Sequence, residues 1–160
     1  MLEQELKKFA EDHKLVIFLC IGNVMRGDDA IGPIVAEKLN VIFKKQKDLI
    51  IINAETVPEN YTGLIRKEEP SHIIFIDAVE MERNPGDIKL IQSNEIANYS
   101  ISTHAMPISS MIKYIESFTD AKMLLIGVQP KNMELSNSVS NEVKNGVEEL
   151  STILKNIFKV

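Results

Sequence analysis

Leu15-Val16-Ile17-Phe18-Leu19-Cys20-Ile21-Gly22-Asn23-Val24-Met25-Arg26-Gly27-Asp28-Asp29-Ala30-Ile31-Gly32-Pro33 is the stretch on which the fold turns. Residues 15–21 are apolar without alternation, the pattern of a strand covered on both faces, as in a parallel sheet. The run breaks at Gly22 into a short loop that ends in two adjacent acids. Residues 30–43 then read as a helix, with Ile31, Ile34, Val35, Leu39 and Ile42 on one face. Pro33 falls in its first turn, where a missing N–H costs little. Strand, loop and amphipathic helix in that order form the opening unit of an α/β domain.

The same grammar repeats outward. Residues 49–53, 72–77 and 123–128 are further near-continuous apolar runs. Residues 87–92 follow the turn signal Asn84-Pro85-Gly86 and alternate more, which suits an antiparallel strand at a sheet edge. Residues 107–118 and 140–158 carry helical periodicity, and a shorter helix is expected over 62–66. The expectation is an α/β fold: a three-layer α/β/α sandwich around a mostly parallel five-stranded sheet with one antiparallel edge strand. At 160 residues and 44% hydrophobic content the chain suits one compact domain, residues 1–160, without repeats or linkers.

Composition narrows the function classes. A net charge of −5 argues against a nucleic-acid partner. The charged, amphipathic residues 1–13 do not resemble a signal peptide, and no apolar run approaches the roughly 20 residues of a membrane span. A cytoplasmic, monomeric protein without membrane attachment is expected. The single cysteine, Cys20, excludes an internal disulfide and sits inside the first apolar run, so it reads as a small buried hydrophobe rather than a nucleophile.

In open α/β sheets ligands collect beyond the carboxyl ends of the strands. Asp28 and Asp29 follow the first strand there, and Asp77 ends the third. His104 stands in Ser102-Thr103-His104-Ala105-Met106-Pro107, ahead of a helix, and Gln129-Pro130 follows the last parallel strand. Each has an ordinary reading: one of the two adjacent acids caps the next helix, Asp77 is a solvated strand end, and His104 is a loop histidine. Together they also make a sensible ligand set for a divalent metal, hard oxygens with one nitrogen and open coordination positions. His13 and His72 are assigned to structure or solvent. No Gly-x-Ser-x-Gly elbow, His-Glu-x-x-His helix or P-loop is present.

Four of these stretches, taken in order, resemble the signatures of the hydrogenase maturation protease family, closest to its formate-hydrogenlyase-type branch. They are Gly22-Asn23 with Asp28-Asp29 and Gly32, then Ile76-Asp77-Ala78, then residues 102–107, then Gly127-Val128-Gln129-Pro130. The resemblance implies an endopeptidase that removes the C-terminal extension of a nickel–iron hydrogenase large-subunit precursor after nickel insertion. It implies Asp29, Asp77 and His104 as catalytic and metal-binding residues, with Asp28 supporting them or capping a helix. The nickel would come with the substrate, and zinc or cadmium could take the same ligands.

Two rival readings belong to other classes. A phosphoacceptor receiver domain also gathers acids around a metal, but it expects its acid pair directly at the strand end and a lysine where Gln129 stands. A non-catalytic nickel-binding or scaffold protein needs no peptidase nucleophile, and none is visible.

Overall fold

A computed structural model describes residues 1–101 and 106–160, the side chains of Ser100 and Ile101 excepted. Helix α1 spans Leu2–Phe9, strand β1 Val16–Ile21, helix α2 Ile31–Ile42, strand β2 Leu49–Glu55, helix α3 Thr62–Glu68 and strand β3 His72–Glu80. Strand β4 covers Ile88–Gln92, the short strand β5 Ser100–Ile101, helix α4 Ile108–Glu116, strand β6 Lys122–Val128 and helix α5 Asn141–Phe158.

The sheet runs in the order β2-β1-β3-β6-β4. The β2–β1, β1–β3 and β3–β6 pairings are parallel, and β4 closes the edge antiparallel to β6. This is the expected mixed five-stranded sheet. One pairing was not foreseen: β5 lies antiparallel to the end of β3, with Val79 opposite Ile101. It explains why β3 continues past Asp77 to Glu80.

Alternation along each strand divides the core. Val16, Phe18 and Cys20 of β1 join Ile74 and Ile76 of β3 against α1, α2 and α5. Ile17, Leu19 and Ile21 join Ile73, Phe75 and Val79 against α3 and α4. Every residue of β1 is buried, which is why its sequence shows no polar alternation. Full burial of each large side chain such as Phe18 or Phe75 contributes about 1.5–3 kcal/mol. Both faces therefore hold the sheet rigidly beneath its carboxyl edge. Among the described residues no helix is long and apolar enough to cross a membrane.

Candidate active site

The parallel strands β1, β3 and β6 point their carboxyl ends to one edge, and the loops there carry the acids. Chain path at the end of β1 is set by close approach. A Cβ on Gly32 would lie 2.0 Å from the Ile21 carbonyl oxygen, and one on Gly22 would lie 2.0 Å from that of Asp29. Only glycine lets the start of α2 fold back onto the strand it follows. The Asn23 N–H donates to the Asp29 carbonyl at 3.0 Å, and the Asp29 N–H to that of Arg26 at 3.0 Å. The result is a 3-10 turn over Gly27–Ala30 in which Asp28 and Asp29 are both buried. This turn contacts β3.

Asp28 does not cap α2. The cap position there is Ala30, with no side-chain bond. Asp28 is fully buried and turns its carboxylate on the loop after β6 instead. Its Oδ2 accepts from the N–H of Lys131 at 2.8 Å, the N–H of Asn132 at 3.0 Å and the hydroxyl of Ser140 at 2.8 Å. Its Oδ1 accepts from the Ser140 N–H at 2.7 Å. Ser140 is the N-cap residue of α5, so the acid fixes a helix remote in sequence rather than the next one. Burial alone would raise this carboxyl. The N–H groups of Ser140, Asn132 and Lys131 and the Ser140 hydroxyl outweigh it, and the group lies below the ordinary carboxylate range. Backbone bonds complete the seam: Gly27 N–H to Ser136 at 2.8 Å, Asp28 N–H to Asn132 at 2.8 Å and Ser136 N–H to Met25 at 2.9 Å.

Asp29 is 4% exposed and Asp77 fully buried. Asp77 is therefore not a solvated strand end. It lies one position beyond the Cys20–Ile76 pair that joins β1 to β3, opposite Gly127 of β6. Its Oδ1 accepts from the Ala78 N–H at 2.8 Å. Two of the three expected ligands thus lie at the same sheet edge, Asp29 in the turn that follows β1 and Asp77 on β3. His104 lies outside the described residues. Among the described residues no three His, Cys, Asp or Glu side chains gather closely enough to hold a metal. The donor chemistry of two carboxylates and an imidazole still suits a divalent ion of borderline softness.

Gln129 has a role that motif spacing did not disclose. Buried directly after β6, it accepts through Oε1 from the N–H groups of Met81 at 2.7 Å and Arg83 at 3.3 Å. Its Nε2 donates to Glu80 at 2.8 Å and to the Pro130 carbonyl at 3.1 Å. One amide thus clamps the turn after β3. A buried glutamine directly after an apolar strand was the available signal. The nearest lysine, Lys131, pairs with Glu142 at 2.7 Å, so the lysine a receiver domain needs is not at this position.

The remaining candidates behave as expected. Cys20 is buried, and burial pushes its thiol well above the ordinary range, which removes it as a nucleophile. His72 and His13 sit at the opposite edge of the sheet, where His72 packs edge-on against Phe9 at 5.1 Å and His13 lies 3.4 Å from Asp48.

Comparison with known proteins agrees with this fold. The family model described as hydrogenase maturation protease matches residues 33–157. The Escherichia coli K12 hydrogenase 3 maturation protease is 32% identical over 82% of this chain and 83% of its own length. A Methanocaldococcus jannaschii protein, itself assigned only provisionally as a hydrogenase maturation protease, is 38% identical over 99% of this chain and 96% of its own. Among solved structures, a NiFe hydrogenase maturation protease from Thermococcus kodakarensis KOD1 superposes with a TM-score of 0.89 at 30% identity, covering 98% of this chain and 99% of that one.

Proposed function

Because the chain belongs to the hydrogenase maturation protease family, and is by that membership a hydrolase of the endopeptidase kind, we propose that it removes the C-terminal extension of a nickel–iron hydrogenase large-subunit precursor once nickel is in place. The observation that carries the reading is the burial at one sheet edge of Asp77, on β3, and of Asp29, on a loop that Asp28 locks from behind. Two carboxylates and an imidazole are a donor set suited to a divalent ion of borderline softness, and a metal carried by the substrate would dock against Asp29, Asp77 and His104.

The division of labour follows from the residues. Asp29, Asp77 and His104 orient the precursor through its nickel, and positioning of reacting groups can remove on the order of 7–11 kcal/mol from a barrier. The substrate's metal would polarise the scissile carbonyl or acidify a bound water. Asp28 and Gln129 touch neither and serve as positioning residues, holding the loops that present the acids. The test incubates the enzyme with nickel-loaded and nickel-free precursor from the same hydrogenase and weighs the products. Cleavage of the loaded form alone is expected. Equal cleavage of both would overturn nickel docking, and cleavage of neither would overturn the processing activity.

A further inference from the structure

Glu80 ends β3 and is exposed, an ordinary place for a solvated acid. Its carboxylate is nonetheless held. Oε2 accepts from the Glu82 N–H at 2.9 Å and from Nε2 of buried Gln129 at 2.8 Å. These bonds, the Glu82 N–H foremost, keep the carboxyl below the ordinary carboxylate range. The group stays ionised, and an ionised carboxylate only accepts.

That restriction decides how Gln129 stands. Its backbone is pinned to the turn before β4: the Gly86 N–H donates to its carbonyl and its own N–H to the Asp87 carbonyl, each at 2.8 Å. The two ends of its side-chain amide are nearly equal in shape, but only the donor end can meet Glu80. With Nε2 turned to Glu80, Oε1 faces the N–H groups of Met81 at 2.7 Å and Arg83 at 3.3 Å. The turn so held is not one the chain would choose alone, since Glu82 takes φ 55°, a left-handed conformation disfavoured outside glycine. The strand end it secures is the one that bears Asp77. The β3–β6 ladder pairs Asp77 with Gly127 and stops at Ala78 and Val128, directly before Gln129. Val79 lies over Gly127, where a Cβ would come within 2.9 Å of its Cγ2. The Gln129 amide takes over where the ladder stops.

We propose that Glu80 is a positioning residue for precursor processing: by orienting the Gln129 amide it locks the end of β3, and with it Asp77, against β6. The inference rests on the processing activity proposed above. It assigns Glu80 no contact with the substrate.

The experiment uses full-length enzyme and nickel-loaded precursor, well below the melting transition of every variant, so that a lost fold cannot pass for lost positioning. Glu80→Ala leaves the amide free to turn and should lower kcat about tenfold or more, towards the roughly hundredfold that a misplacement of about 1 Å can cost. Glu80→Gln keeps an acceptor oxygen and should process at nearly the wild-type rate. Gln129→Glu sets two carboxylates face to face and should lose activity as Glu80→Ala does. Adding Glu80→Gln to it restores a donor–acceptor pair in reverse order and should recover most of the loss. If Gln129→Glu does not fold, the contrast between Glu80→Ala and Glu80→Gln decides. Wild-type kcat in Glu80→Ala, a Glu80→Gln variant as slow as Glu80→Ala, or a folded double variant no better than Gln129→Glu would overturn the proposal while leaving the protease reading intact. Failure of the wild type to cut the loaded precursor would overturn that reading, and this one with it.

Discussion

Asp28 and Asp29 are chemically identical neighbours, and the reading proposed here gives them different duties. Asp28 accepts from Lys131, Asn132 and Ser140, so it should act on stability. Hydrogen bonds to a charged acceptor contribute about 1.5–3 kcal/mol each, and the freed N–H groups partly reach water, so Asp28→Ala should cost on the order of 2–4 kcal/mol in urea unfolding. Its folded carboxyl lies below the ordinary range. The contribution should therefore be complete above the unfolded value of about 3.9 and fade as pH falls through the folded one. Wild-type and Asp28→Ala stabilities should thus converge in acid. Asp29→Ala should instead abolish processing with a smaller loss of stability; the reverse ranking of the two variants would show the duties exchanged. The pair of acids and its placement were legible in the sequence. Their division was not, because the partners of Asp28 lie 103 to 112 residues away and no local spacing encodes such a bond. The same holds for Gln129, whose acceptor oxygen serves N–H groups 46 and 48 residues upstream.

Elements were far easier to read. Burial on both faces turns a strand into an apolar run, so β1 and β6 stood out, and α5 was placed to within one residue of its start. The N-terminal residues were read only as a charged, amphipathic segment, whereas Leu2–Phe9 forms α1 and buries Leu6. The two-residue β5 was invisible, because it is made by tertiary pairing with β3 rather than by its own composition. At this scale the β1–α2 junction is the tightest contact. Gly32→Ala would set a Cβ 2.0 Å from the Ile21 carbonyl oxygen, and overpacking of this kind costs about 1–3 kcal/mol or more. A loss of that size in the unfolding free energy from urea titration, with activity lost in parallel, is the expected outcome.

The opposite edge makes a different prediction. His72 opens β3, is 2% exposed and packs on Phe9 of α1. Burial lowers its pKa, helped by the charges of Lys122 and His13. A lowered folded value means that the unfolded chain takes up the proton first. Stability should therefore be complete above the unfolded value of about 6.5 and fall as pH drops towards the folded one. Wild-type melting temperature should decline between about pH 7.5 and about pH 5, and His72→Phe should flatten that decline. An unchanged slope would mean that His72 keeps its ordinary value.

For the molecule as a whole, selectivity is the property to measure. Cys20 is buried with its thiol pushed up, and the acids are sunk in the sheet edge, so an arbitrary peptide finds no evident means of attack. Casein and a free peptide spanning the cut site should remain intact under conditions in which nickel-loaded precursor is fully processed, as judged by mass. Digestion of casein would show a self-sufficient catalytic centre. The family resemblance pointed to this substrate class from short motifs alone, because those motifs mark where chain path and chemistry coincide: Gly22 and Gly32 for close approach, Asp29 and Asp77 for charge.

The seam between the loop after β1 and residues 131–140 also carries a consequence for biosynthesis. A chain made from its N-terminus lays down both acids early, yet the groups that lock Asp28 belong to its last portion, up to Ser140 at the start of the final helix. A partly translated polypeptide can pair β1 with β2 and β3 while the acid-bearing turn stays unfastened. A product truncated before residue 131 would carry both acids without the N–H groups and the hydroxyl that hold Asp28 in place.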